Sequence, residues 1–301
     1  MKRLVAPLLA LCLLLAGCAS NDPLGTQQEV AQGSASKQLV IGSQQYYSNE
    51  IVSELYAQAL ENRGWEIERS YQIGQREIYL PELAAGRIDV MPEYLGNLLQ
   101  YYDKQATART PEEILTALRE KAPTGLMVLE PARASDQDSY NVTAATAQKY
   151  GLKTIADLKK LGTVKVAGNS ELSKRPYGPD GLKKTYGVDA TLLPVEDSGG
   201  PLTVKALVDG KAQVADIYSA SPAIKANGLV TLADPESLVL PQNVVPIVGP
   251  TVGADAASVI SLVNSRLTTD ALAELNAQSV TEQKSSAVIA KAWLAKEGIV
   301  K

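Results

Sequence analysis

The chain contains 301 residues, with 29 Lys plus Arg against 33 Asp plus Glu, a formal net charge of -4, 13 Tyr, 2 Trp, no Phe and no His. Without histidine there is no imidazole base for a catalytic triad, no His-ligated metal and no His-based acid or base chemistry. Both cysteines, Cys12 and Cys18, fall in the first eighteen residues, so the rest of the chain holds no internal disulfide, four-cysteine zinc site or cysteine nucleophile.

The opening, MKRLVAPLLALCLLLAGCAS, sets Lys2 and Arg3 before an apolar run from Leu4 to Ala16. That run is shorter than the ~20 residues a membrane-spanning helix needs and has the order of a signal peptide, assigned to residues 1–17. Leu15-Ala16-Gly17-Cys18 resembles a bacterial lipobox, which implies cleavage before Cys18 and acylation of its thiol; an ordinary secretory signal is the alternative. Removal of residues 1–17 takes Lys2 and Arg3 away, leaving 27 basic against 33 acidic side chains. An acidic chain without clustered Lys and Arg argues against nucleic acid and against a polybasic membrane patch, so membrane attachment would rest on lipid alone. Residues 18–37 are rich in Gln, Ser, Gly and Ala and read as a flexible tether.

From Gln38 onward short apolar strands alternate with helical patterns. "LVIGS" at 39–43 reads as a strand, and Ile51, Val52, Leu55, Tyr56, Ala59 and Leu60 recur on one side of a helix that stops near Gly64. "WEIERSY" is a second strand, Leu80, Leu83 and Ala84 mark a helix, and "RIDVMPEY" is a third short apolar segment. The alternation restarts after Glu130: "GLKTIADLKKLG" reads as a helix, "TVKVAG" as a strand, "PDGLKKTYG" as a short helix and "ATLLPVE" as a strand. "PLTVKALVDG" is a helix with Pro201 at its start, "AQVADIYSA" and "LVTLAD" are strands, and "NVVPIVG" leads into two closing helices at about 255–277 and 281–297. This βαβ order predicts mostly parallel sheets covered by helices on both faces. An extra closing piece after a complete second unit suggests one lobe from 38–128 plus 243–301 and a second from 129–242; a single doubly wound domain is the alternative.

The motifs "IGSQQYYSNEIVSELYAQALENRGW", "AAGRIDVMPEYLGNLL", "YNVTAATAQKYGLKTIADL", "RPYGPDGLKKTYG", "VADIYSA" and "LTTDALAELNAQSVTEQKSSAVIAKAWLAKEGI" occur in an order that resembles the substrate-binding proteins of bacterial ABC importers for glycine betaine, carnitine and choline. The resemblance runs from about Leu39 to Ile299. It implies an α/β, two-lobed periplasmic-binding-protein fold, type II-like, with the ligand cleft between the lobes.

In that family a cage of tyrosines holds the cationic head group. The resemblance places cage positions on Tyr94 of Pro92-Glu93-Tyr94, on Tyr140 with Asp138 two residues before it, and on Tyr218, while Gln242 stands where a further aromatic is common. The physical chemistry suits the role: a trimethylammonium group has no N–H to donate, and each ring face contributes roughly 0.5–2 kcal/mol. Toward a ligand carboxylate the resemblance keeps Arg175 but puts Gln44 at a Lys position and Tyr177 at an Asp position, which tilts the expectation toward choline or a larger cation with a polar tail, with betaine and carnitine as the other cargoes. Asn97 replaces a common Thr and remains a hydrogen-bonding candidate. Tyr46 reads as packing; Tyr47, an addition, is a candidate to turn inward and make up for Gln242. Gln75 and Arg76 replace small residues and are expected to alter the pocket rim. Tyr56, Tyr150 and Tyr186 read as core or helix-end residues.

The expected function is a lipid-anchored solute receptor on the extracytoplasmic side of a membrane. It would act as a monomer without cofactor, metal or nucleic acid, and would deliver a quaternary ammonium compound to permease subunits driven by a cytoplasmic ATPase. Another small polar or zwitterionic cargo is the alternative. An enzyme using Glu93, Asp138 and Glu171 as acid and base is a more distant one, because nothing in the sequence fixes two carboxylates at a catalytic separation.

Overall fold

A computed structural model describes residues 37–300. The leader, Cys18 and the tether through residue 36 lie outside the described residues. Two five-stranded sheets organise the rest.

The first sheet has β1 (Gln38–Gly42), β2 (Glu66–Ser70), β3 (Val90–Tyr94), β4 (Met127–Val128) and, from much later in the chain, a strand at Val244–Val248. The second contains β5 (Tyr140–Thr143), β6 (Val164–Gly168), β7 (Ala190–Pro194), β8 (Val214–Asp216) and β9 (Leu229–Thr231), which makes Val244–Val248 β10. The strand orders are β2-β1-β3-β10-β4 and β7-β6-β8-β5-β9. Burial explains the central places: every residue of β3 and of β10 is buried, whereas the charged β2 is largely exposed and takes an edge.

Both sheets are mixed rather than mostly parallel. β1 runs parallel to β2 and β3, and β6 parallel to β7 and β8, as βαβ connections require. β10 runs antiparallel to β3 and β4, and β5 antiparallel to β8 and β9. Each of these two strands enters its sheet from the other sheet's side, without a crossover helix of its own to impose a parallel direction. Pro92 and Pro246 stand opposite each other in the β3–β10 register, and their carbonyls face away from the pair, accepting from the Asn49 side chain at 3.0 Å and from the Leu129 N–H at 3.0 Å. Two residues without N–H groups thus meet at a place where no ladder bond is needed.

The helices are α1 (Tyr47–Glu61), α2 (Arg76–Ala84), α3 (Leu95–Tyr102), α4 (Pro111–Lys121), α5 (Ala144–Tyr150), the single turn α6 (Pro179–Gly181) continuing as a π-helical stretch at Leu182–Tyr186, α7 (Pro201–Val208), α8 (Pro222–Ala226), α9 (Ala254–Arg266), α10 (Thr269–Glu282) and α11 (Ser286–Lys296). The expected helix in "GLKTIADLKKLG" is instead a 3-10 helix over Ile155–Leu161. Its buried residues, Ile155 and Leu158, are three apart, the period of a 3-10 helix, and Leu152 just before it is also buried. The two expected closing helices are three, because Thr268 and Ser285 each cap a new N-terminus and accept from the N–H of Ala271 and Val288.

α1 is the pivot of the first sheet's core. Eleven of its fifteen residues are buried. It packs between the sheet and α9 to α11, and the Tyr56 hydroxyl donates to Asn264 Oδ1 at 2.5 Å. α2 to α4 cover the opposite face with Tyr79, Leu83, Leu98 and Leu118. The second sheet is covered by the 3-10 helix and the Leu182–Tyr186 stretch on one side and α7 on the other.

Leu55 on α1 is 0% exposed and Leu202 on α7 is 63% exposed. Leu55→Ala should lower unfolding free energy by about 2–5 kcal/mol, whereas Leu202→Ala should stay within about 0.5 kcal/mol of the parent, both read from denaturant unfolding.

Candidate functional site

Where a strand ends and the chain turns, its side chains face the crevice beyond the sheet. Four such ends converge here. Tyr46 follows β1, Tyr94 closes β3, Asn169 follows β6, and Asp216 and Tyr218 close and follow β8. Together with Asp136 and Asp138, from the segment that crosses between the sheets, they line a chamber of about 30 Å³. The lobes meet across it: Gln45 Nε2 donates to Ser198 Oγ at 3.1 Å, Asn97 Nδ2 to Asp138 Oδ2 at 3.2 Å, and Arg175 lies 3.5 Å from Glu77.

Three tyrosines form one wall group. Tyr46 stacks on Tyr94 with ring centroids 6.4 Å apart and an interplanar angle of 26°, and meets Tyr218 at 5.0 Å and 55°. Burial, followed by neighbouring ionisable groups, raises all three hydroxyls above the ordinary tyrosine range, so they are neutral rings at any physiological pH. The Tyr94 hydroxyl has no hydrogen-bond partner; Tyr46 and Asn49 lie near it without hydrogen-bond geometry.

The opposite character comes from carboxylates. Asp136, Asp138, Glu171 and Asp216 all line the chamber. Asp136 accepts from Ser48 Oγ at 2.9 Å and from the Ala220 N–H at 2.9 Å, and Asn276 Nδ2 reaches both Ser48 Oγ and the Ala220 carbonyl. Burial nevertheless pushes the Asp136 carboxyl up to about 6. Burial first, and then the charge of Asp138 beside it, holds Asp216 well above the usual carboxylate range, and its Oδ1 is unpartnered.

Two arginines border the chamber, but one is already engaged. Arg76 donates to Glu93 Oε2 from Nη2 at 2.8 Å and from Nε at 3.2 Å, Tyr79 donates to Glu93 Oε1 at 2.5 Å, and the Tyr94 N–H donates to Glu93 Oε2 at 2.9 Å. Glu93 is 0% exposed and Arg76 4%. Arg76 is therefore the buried counter-ion of Glu93 rather than a rim residue, and Glu93 has no spare oxygen to act as an acid or base beside Asp138. Arg175, 14% exposed at its side chain, is the looser of the two.

Of the nine ligand-contact positions expected from the sequence, Tyr94, Tyr218, Asp138, Arg175, Gln44 and Asn97 line the chamber, Gln44 with an unpartnered Nε2. Three do not. Tyr140 is buried in β5 behind the wall and its hydroxyl donates to the Tyr177 carbonyl. Gln242 is 0% exposed and grips Asn97, accepting from its N–H at 3.0 Å and donating to Oδ1 at 2.9 Å, so it holds a wall residue in place. Tyr47 turns away from Tyr46 into a separate groove beside Pro201, Val204 and Pro222. The third ring is Tyr46, expected to be packing; its place just beyond the β1 end is the signal that could have found it. Asp136, Asp216, Asn169 and Ser198 were not anticipated.

Residues 37–296 match the family model described as the substrate-binding domain of ABC-type glycine betaine transport systems. The chain belongs to this family. It is similar to the glycine betaine-binding protein YehZ of Escherichia coli (strain K12), 24% identical over 283 residues that cover 89% of this chain and 93% of that protein. It is also similar to the carnitine transport binding protein OpuCC of Listeria monocytogenes serotype 1/2a (strain 10403S), 23% identical over 280 residues and 88% of each. Among solved structures, a glycine betaine/carnitine/choline ABC transporter protein aligns with a TM-score of 0.71 at 23% identity, over 87% of this chain and 99% of that one. Lactococcal OpuAC in its closed, glycine betaine-bound conformation aligns at 0.63 and 15% identity, over 87% and 96%. These structural likenesses establish the two-lobed α/β fold.

The raised Asp136 carboxyl makes the fold of this family member pH-sensitive in a defined direction. Between the unfolded value of 3.8 and about 6, the native state holds a proton there that the unfolded chain does not. Stability from this group is thus full below 3.8 and lost as pH rises through about 6. Asp136→Asn should remove that falling component, so the difference in thermal midpoint between variant and parent should shift in the variant's favour across the window. A difference independent of pH would show that Asp136 does not titrate there.

Proposed function

We propose that the protein is the extracytoplasmic solute receptor of an ABC importer and that its cargo carries a quaternary ammonium head of choline type. The observation that carries this reading is the chamber itself: Tyr46, Tyr94 and Tyr218 grouped on one side, with Asp136, Asp138 and Asp216 around them. A quaternary ammonium offers methyl groups and diffuse positive charge, and the chamber offers ring faces and negative charge in return. The engagement of Arg76 with Glu93 leaves Arg175 to face Asp136, Asp138 and Glu171, with Asp216 held toward its neutral form by burial, a balance that favours a cation over a compact zwitterion such as glycine betaine. The unpartnered Asp216 Oδ1 and Gln44 Nε2 supply an acceptor and a donor for a hydroxyl on the cargo.

Membership of the family supports the remainder of the proposed cycle. Cargo binding stabilises the arrangement in which the lobes meet, and the closed form docks on a permease driven by a cytoplasmic ATPase. Cys18, cleaved and acylated, would hold the protein at the membrane, and mass spectrometry of the mature terminus checks this.

Titration calorimetry with choline and glycine betaine tests the cargo. Tyr46→Ala and Tyr218→Ala should each weaken choline binding by roughly 2- to 30-fold, the equivalent of one cation–π contact, and Tyr46→Phe should weaken it less. Affinity should also rise with pH as Asp136 ionises near 6. Failure of the parent to bind any quaternary ammonium, or full affinity in both alanine variants, would reject the chamber as a cation cage.

A further inference from the structure

Outside the chamber, between α3 of one lobe and the segment from Ser173 to Lys184 of the other, lies a second cavity of about 630 Å³. Asn97, Arg175 and Tyr177 line both spaces, so these three residues form the partition between them. The two spaces carry opposite charge. The chamber is lined by Asp136, Asp138 and Glu171, together with the buried Asp216, whereas the outer vestibule is lined by Lys104, Lys174, Lys184 and Arg175 against Glu77 and Asp180. Arg175 is held from the vestibule side by Glu77, whose own side chain is 56% exposed, at the long distance of 3.5 Å. A guanidinium so loosely paired keeps most of its donors available, and three lysines beside it add compact point charges of the kind that suit phosphate.

We infer that the vestibule is an anion subsite for the tail of the cargo, and that the preferred cargo is a quaternary ammonium bearing a phosphate, such as phosphocholine or its glycerol diester. The inference rests on the proposed head-group reading and extends it. The two spaces share Asn97, Arg175 and Tyr177, so a tail too long for the chamber has an exit past these residues into the vestibule. A carboxylate one methylene from the nitrogen, as in glycine betaine, ends inside the acidic chamber; a phosphate set two carbons and an ester oxygen away reaches the partition. Negative field at the inner end and positive field at the outer end match a cargo whose charges are arranged in the same order.

Calorimetry on the purified protein with choline, phosphocholine, glycerophosphocholine and glycine betaine tests this directly. Phosphocholine should bind more tightly than choline at low salt, and the advantage should shrink toward unity at about 0.5 M salt, because the lysines are exposed and screened. Glycerophosphocholine separates a requirement for a dianionic phosphate from tolerance of a diester. A triple variant, Lys104→Glu, Lys174→Glu and Lys184→Glu, should lower phosphocholine affinity about tenfold or more while leaving choline within about twofold. Choline bound as tightly as phosphocholine at every salt concentration, or a triple variant that alters neither ligand, would overturn the anion subsite and leave the cation cage standing. Loss of all four ligands by the parent would instead remove the head-group reading. The salt series on the parent protein decides the matter even if the triple variant does not fold.

Discussion

A carboxylate that no water can reach sets the chemistry of this cleft. Glu93 lies in β3, the strand whose five residues are all buried, and an isolated charge there would cost several kcal/mol. Arg76 and Tyr79 from α2 and the Tyr94 N–H occupy its two oxygens. Two consequences follow. The backbone that presents Tyr94 to the chamber is tied to α2, so the ring wall is built on the core rather than on a loop. One of the two arginines that line the chamber is also engaged by the core, which leaves Arg175 as the looser cation there.

The same logic explains how the remaining walls are held. Asn97 is clamped by the buried amide of Gln242, and through Asn97 the first lobe reaches Asp138 of the second. Asp136 is held by Ser48 and Ala220, with Asn276 bridging the two. Polar side chains at these positions are held by named partners, and of the six buried side-chain atoms left unpartnered among the described residues, those on Gln44, Tyr94 and Asp216 belong to residues that border the chamber, whereas those on Gln100, Tyr102 and Asn276 do not.

Most strands were legible in the sequence as short apolar runs such as LVIG, VKVAG and VVPIV, or, for EIERS, as an alternating pattern. Their directions were not, since the antiparallel entry of β5 and β10 is decided by pairing with strands distant in sequence, Tyr140 with Asp216 and Val244 with Tyr94. Six of the nine expected ligand-contact residues do border the chamber. The exceptions share a cause: position beside a motif does not tell which way a side chain turns, so Tyr46 and Tyr47, adjacent in sequence, face different spaces, and Tyr140 and Gln242 sit one layer deep. Asp136 and Asp216 escaped notice because isolated acidic residues are ordinarily solvated, and their proximity exists only once both lobes are built.

The late arrival of β10 orders the way the molecule assembles. Strands β5 to β9 form an uninterrupted stretch from 140 to 231 and can pair among themselves as soon as that stretch exists. The other sheet has its central gap open until Val244–Val248 slots between β3 and β4, and α9 to α11, which cover α1, come later still. Until then the β3 side that will pair with β10 stays open, an unpaired strand edge of the kind that invites misassociation. Closing that gap brings together segments about 150 residues apart, a slow step whose entropic cost grows only with the logarithm of the separation. The second lobe is thus a candidate to fold while the chain is still emerging, and the first only after its last strand and helices are released.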